Sequence, residues 1–179
     1  MDLNSLLFHN NDKIKIVYAG AIMPKSIKIL ECIFSTISSN PECFQNVEMH
    51  FIGTGKAVND PNAYFVKEIA QSYDLWEKIV FEYPKRLPYL DVLAHLSSAN
   101  VVMVLGSTES HYTPSKVFQA ILSEKPILAF LHEQSAAAQL FQQNPIGQLV
   151  AIREGMLDID FETSFLQKWD ALVGMLTSF

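Results

Sequence analysis

The sequence predicts an α/β fold in which a six-stranded, mostly parallel sheet is doubly wound by helices. Short apolar runs rich in β-branched and aromatic residues recur along the 179 residues. Segments whose apolar residues lie three or four positions apart alternate with these runs. No two-residue hairpin turn joins the runs, so parallel strands with crossover helices are expected. The predicted fold is therefore Rossmann-like.

Each predicted strand is a short apolar run that ends at glycine, proline or a polar residue. The first run, IKIVYAG, is almost continuously apolar, which is typical of a parallel strand buried on both faces. Five further runs are also rich in apolar residues, and the second strand carries Val47, Met49 and Phe51 on one face. The six strands are predicted at residues 14–20, 47–53, 78–83, 101–105, 127–131 and 147–152.

The predicted helices lie between the strands and carry one apolar stripe each. In the first, over 26–38, apolar residues recur at Ile27, Leu30, Phe34 and Ile37, a spacing that is helical and not extended. One further helix follows Pro114. The others are predicted near 61–73, 90–96, 134–142 and 160–175.

Composition and charge narrow the class of protein. Apolar residues make up 49% and charged residues 18%, which is typical of a globular chain. The net charge of −6 gives no general attraction to nucleic acid or to an anionic membrane, so any phosphate binding must be local. We expect one domain over 13–179, preceded by a polar lead-in or linker remnant over 1–12.

The N-terminus and the cysteines bear on the compartment. The first residues lack the basic region and apolar core of a signal peptide, and no apolar run approaches the roughly 20 residues that span a bilayer. Cys32 and Cys43 support neither a disulfide framework nor a zinc site, and the histidines show no ligand spacing. We therefore expect a cytoplasmic protein with no metal site and no transmembrane segment. The inner membrane surface is the alternative location for a full-length protein.

The segment from Gly106 to Pro126 contains the strongest candidate for an anion site. Thr113-Pro114-Ser115-Lys116 places a hydroxyl at a predicted N-cap, proline at the first helical position and an ammonium in the first turn. Backbone N–H groups, the helix dipole and this lysine together suit a phosphate. The alternative interpretation is an ordinary helix start.

Other loops supply weaker candidates. Gly20 and Ala21 end the first strand and allow close approach of a ligand, with Lys25 as a possible phosphate partner. Gly53 opens the loop GTGK, which fits neither the Walker spacing nor the dinucleotide fingerprint, so it is a ligand contact or a plain turn. Glu109 and His111 precede the candidate anion site and could bind a polyol or transfer a proton.

Four segments together resemble a known family. They are YAGAIMPKS after the first strand, FIGTG after the second, LDVLAHLSSANVVMVL, and TPSKVFQAILSEKPILAF. In this order, over about 13–178, they are similar to the C-terminal, nucleotide-sugar-binding half of GT-B glycosyltransferases of the retaining group 1 type. In that family, Ser-Lys opens a helix, and a Lys-Pro turn starts the next strand.

The resemblance implies roles for individual residues. Gly20 and Ala21 would approach the donor diphosphate, and Ser115 and Lys116 would bind it, with Thr113, Pro114 and Gly53 beside them. Gln119 stands where the family usually has a glutamate that holds the ribose hydroxyls. His111 falls at the first glutamate of the family's spaced pair, and Glu109 lies two residues earlier.

The function implied by the resemblance is transfer of a sugar from a nucleoside diphosphate donor, with UDP favoured over GDP and no cofactor. Lys116 and Lys25 would stabilise the leaving diphosphate, and Glu109 is the third candidate catalytic residue. A complete enzyme needs an N-terminal acceptor domain, so this chain is interpreted as the donor-binding half, inactive by itself. The alternative is a non-catalytic Rossmann-like binding or interaction module with a degenerate phosphate site.

Overall fold

The computed structural model describes residues 5–156 and 158–178. The first four residues of the predicted lead-in over 1–12 and the last residue of the predicted domain therefore lie outside the described residues. Within the described part, six strands form one parallel sheet. They are β1 (Ile14–Ala19), β2 (Val47–Ile52), β3 (Val80–Tyr83), β4 (Val101–Leu105), β5 (Ile127–His132) and β6 (Gly147–Ile152). The spatial order is β3-β2-β1-β4-β5-β6. The predicted fold class is therefore confirmed, and the strand order reverses between β1 and β4.

Helices connect successive strands, and a last helix follows β6. They are α1 (Ile27–Ser39), α2 (Pro41–Phe44), α3 (Val66–Ser72), α4 (Tyr89–Ser97), α5 (Lys116–Leu122), α6 (Ala136–Gln143) and α7 (Asp158–Thr177). A short 3-10 turn over Pro24–Ser26 precedes α1. Pro41 occupies the first turn of α2, where its fixed φ is already helical. No helix in the described ranges is long and apolar enough to cross a bilayer.

The third helix begins later than predicted, at Val66, because a distant carboxylate determines its start. Glu82 on β3 is buried, and its carboxylate accepts hydrogen bonds from the backbone N–H groups of Phe65, Val66 and Lys67. The Thr54 hydroxyl donates to the same carboxylate at 2.7 Å. Four donors converge on one buried charge, which satisfies N–H groups that a helix start leaves unpaired.

The apolar core forms one layer on each face of the sheet. Ile16 and Tyr18 of β1 point into the layer covered by α1 and α7, whereas Val17 and Ala19 point into the layer covered by α4, α5 and α6. The apolar stripe predicted on α4 is only partly buried, since Leu96 is 3% exposed but Leu90 is 71% exposed.

The residues before β1 pack against the second layer. Phe8 is buried between the rings of His50 and His95, with centroid distances of 4.8 and 5.8 Å. The Leu7 N–H donates to His95 Nε2 at 3.1 Å. These contacts connect the start of the described chain to both β2 and α4.

Candidate functional site

A cavity of about 340 Å³ opens at the carboxyl ends of β1 and β2, beside the start of α5. Six of the residues predicted for the donor site line it, which brings together segments far apart in sequence. Its lining is formed by Ala19, Gly20, Ala21, Ile52, Gly53, Arg86, Leu87, Tyr89, Val92, Ser115, Lys116 and Gln119. The position agrees with the rule that ligands of doubly wound sheets bind where the strand order reverses.

Lys116 crosses directly over Gly20. A Cβ added to Gly20 would lie 2.5 Å from Lys116 Cε, and the backbone of Gly20 has φ +110°, which L side chains rarely adopt. Glycine at this position therefore makes the space in which the lysine lies. The N–H of Gly20 donates to Ile52 O at 2.8 Å, so Gly20 supplies room for the lysine but no free N–H donor for a ligand.

Arg86 is a second cation at the cavity, and no sequence motif marks it as a site residue. Gly53 underlies its side chain, since a Cβ added to Gly53 would lie 3.4 Å from Arg86 Cδ. Like Gly20, Gly53 has a positive φ, +68°, and an occupied N–H, which donates to Tyr83 O. The signal that could have identified Arg86 is its position just after the third predicted strand, which the doubly wound order brings near the first.

The electrostatics of the cavity favour an anion. Burial and the nearby Arg86 charge together lower the pKa of Lys116 below its ordinary value, burial having the larger effect. No Asp or Glu lines this cavity in the described part of the chain. Neither Lys116 nor Arg86 forms an ion pair with any described residue. Five lysines elsewhere in the chain do form ion pairs, namely Lys13, Lys15, Lys25, Lys56 and Lys78. Two cations thus converge without a neutralising carboxylate.

The start of α5 differs from the prediction. Ser115 is the N-cap residue, and its side chain makes no capping hydrogen bond, while the predicted cap Thr113 lies exposed two residues earlier. The helix has only seven residues, so its dipole is correspondingly small. Attraction of an anion here therefore depends on the side chain of Lys116 more than on the helix terminus. Pro114 is buried beneath the turn.

Three further predicted residues lie outside this cavity. Lys25 and Glu109 form an exposed ion pair with 2.6 Å between Nζ and Oε2, and the hydrogen bond from Lys25 lowers the pKa of Glu109. Glu109 and His111 line a separate cavity of about 580 Å³ between α1 and the loops after β4, β5 and β6. Lys28, Arg153, Glu154 and Asp158 also line that cavity, so its charges are mixed.

The loops after β1 and β4 are nevertheless linked. The Ser26 hydroxyl, which is buried, donates to the carbonyl oxygen of Gly106 at 2.6 Å.

Within residues 5–156 and 158–178, no group of three or more His, Cys, Asp or Glu side chains is arranged to hold a metal ion.

No protein-family model matches the sequence, and no curated protein matches it. Solved structures do match. WaaG, a glycosyltransferase involved in lipopolysaccharide biosynthesis, has 12% identity and a TM-score of 0.63, with 93% of this chain and 41% of WaaG covered. S. aureus TarM, solved in complex with UDP and other ligands, has 17% identity and a TM-score of 0.59, with 98% of this chain and 33% of TarM covered.

A third match is an isolated domain. The C-terminal domain of the group 1 glycosyltransferase family protein LpcC from Francisella tularensis has 14% identity and a TM-score of 0.52, with 91% of this chain and 85% of that domain covered. This chain thus spans less than half the length of WaaG or TarM but nearly all of that single domain. The resemblance to group 1 glycosyltransferases is confirmed at the level of the fold.

Proposed function

We propose that the cavity between Gly20, Gly53 and Lys116 binds the diphosphate of a nucleoside diphosphate sugar. The observation that carries the proposal is the convergence of Lys116 and Arg86 on a cavity that no described carboxylate lines. Unpaired cations at a partly desolvated cavity are unfavourable in the empty protein, and a bound diphosphate would neutralise both. A glycine underlies each cation, which leaves space for both side chains at the edge of the cavity.

The rest of the lining suits the remainder of such a ligand. Gln119, half-buried at the cavity, carries an amide that can donate to and accept from the hydroxyls of a ribose. Apolar side chains such as Leu87 and Val92 offer a surface for a nucleobase. We favour UDP over GDP as the nucleotide, and the crystal structure of TarM in complex with UDP supports this choice.

For a longer protein that contains this chain, we propose sugar transfer from the bound donor to an acceptor held by an N-terminal domain. Lys116 would stabilise the negative charge that develops on the leaving diphosphate, which is the kind of electrostatic effect that dominates many transfer reactions. The catalytic roles of Lys25 and Glu109 stay predictions. Their ion pair lies outside the cavity, so we expect them to affect diphosphate affinity less than Lys116 does.

Calorimetric titration of the chain with UDP, GDP and their sugars tests the proposal. We expect weak binding of UDP, lowered roughly 10- to 100-fold by Lys116→Ala or Arg86→Ala, because each removes a charge-assisted hydrogen bond. Lys78→Ala is the matched control, since Lys78 is an exposed lysine at the amino end of β3. Loss of affinity in Lys78→Ala equal to that in Lys116→Ala would contradict the proposal.

The second candidate is a binding module without transfer activity, and Gln119 is the observation that favours it. The amide lacks the charge of the glutamate expected at this position from the resemblance. Gln119→Glu discriminates the two functions when it is made in a longer protein that contains this chain. If transfer activity appears or rises in the variant, the protein retains the other parts of a transferase, whereas tight donor binding without transfer in both forms favours the binding module.

A further inference from the structure

Tyr18 contacts both walls of the proposed diphosphate cavity without lining it. The residue lies near the carboxyl end of β1, is 2% exposed, and packs its ring against Phe51 at a centroid distance of 5.9 Å. From this buried position, the hydroxyl contacts Ala21 and the ring contacts Lys116. Both of these residues line the cavity.

The hydroxyl fixes the backbone wall. Tyr18 Oη donates to the carbonyl oxygen of Ala21 at 2.8 Å. Because a trans peptide is planar, this hydrogen bond sets the orientation of the whole peptide unit that joins Ala21 to Ile22. The bond therefore holds the loop after Gly20 in one conformation at the edge of the cavity.

The ring supports the cationic wall. Lys116 Nζ lies over the Tyr18 ring, 5.6 Å from its centroid, within the range in which an aromatic face attracts a cation. The charged groups that face this contact are Lys116 itself and Arg86, and the Tyr112 phenol lies near the Tyr18 phenol. Burial and Arg86 both disfavour the charged form of Lys116, whereas the ring favours it.

We propose that Tyr18 is a positioning residue, which orients the Ala21 peptide through its hydroxyl and holds the Lys116 ammonium charged and in place through its ring. This inference rests on the proposed function, because the two walls matter only if the cavity binds an anion. It adds a specific role for a residue that sequence patterning assigns to the core. A purely structural Tyr18 would affect the free energy of unfolding and leave the cavity unchanged.

Two substitutions separate the two contacts. Tyr18→Phe keeps the ring and removes the hydroxyl, so we expect UDP affinity to fall roughly 2- to 10-fold, with the pKa of Lys116 unchanged. Tyr18→Leu removes both contacts. We expect a further loss of about 2- to 10-fold in UDP affinity and a pKa of Lys116 below the wild-type value. The pKa is measured by NMR of the Lys116 Cε and Nζ in the ligand-free protein.

Phe34→Leu is the control, since Phe34 is fully buried in the same core layer and makes ring contacts with Phe51 and Tyr73. We expect this variant to be less stable, with unchanged UDP affinity and an unchanged Lys116 pKa. If folded Tyr18→Leu protein keeps both wild-type values, the inference is overturned. If the wild-type chain binds neither UDP nor pyrophosphate, the proposed function fails, and the Lys116 pKa in Tyr18→Leu decides the positioning role alone.

Discussion

Substituting Gly20 with alanine should weaken UDP binding by more than the loss of stability alone explains. The φ of +110° imposes backbone strain on any L side chain, which costs on the order of 1–3 kcal/mol. The new Cβ would lie 2.5 Å from Lys116 Cε, so the lysine must move. Because Cε is near the end of a flexible chain, this movement adds little to the loss of stability. It removes the ammonium from its place over the cavity, and we expect UDP affinity to fall roughly 10- to 100-fold.

Gly155→Ala is a matched control, because Gly155 also has a positive φ, +70°, and a Cβ added there meets no atom within 4 Å. Urea unfolding should give a loss of stability for both variants, with the larger loss for Gly20→Ala because φ +110° lies outside the left-handed region that L residues can adopt. Calorimetry should give a loss of UDP affinity only for Gly20→Ala. Equal UDP affinities for the two folded variants would refute the account of Gly20 as the residue that makes room for Lys116.

Two further predictions concern stability. Glu82→Ala should lower the free energy of unfolding, measured in urea, by about 2–4 kcal/mol, because it leaves the buried N–H groups of Val66 and its neighbours without an acceptor. Glu68→Ala is the control and should cost under about 1 kcal/mol, since Glu68 is exposed. Burial lowers the pKa of His50 from 6.5 to about 4, so the folded protein holds this ring neutral at pH values where the unfolded chain is protonated. The resulting stabilisation, on the order of 3 kcal/mol, is fully present above pH 6.5 and is lost as the pH falls towards 4. His50→Asn should therefore lose less stability than the wild type between pH 6.5 and 4.5, and equal losses would contradict this account.

Local patterns were sufficient to predict the sheet and most of its helices. The inner strands β1, β2, β4 and β5 are buried along nearly their whole length. The apolar runs end at residues that stop them, and β4 and β6 fall at the predicted bounds. Position at strand ends was also enough to bring Gly20, Gly53 and Lys116 to one edge, because parallel strands have their carboxyl ends on the same side of the sheet.

Other features depend on contacts between residues distant in the sequence. The start of α3 is determined by Glu82, which follows it by more than a dozen positions, and no local capping signal marks it. Arg86 joins the cavity because β3 lies two strands from β1 in the sheet order, which periodicity does not specify. Lys25 and Glu109 lie outside the cavity, in an ion pair that joins the loops after β1 and β4.

A crystal structure of the chain with UDP tests the central claim most directly. We expect the diphosphate between the Ala21 backbone and the side chains of Lys116 and Arg86, with the ribose within hydrogen-bonding distance of Gln119. A different result would contradict this claim: at saturating UDP, diphosphate density appears in the separate cavity beside His111, and the cavity between Lys116 and Arg86 is empty.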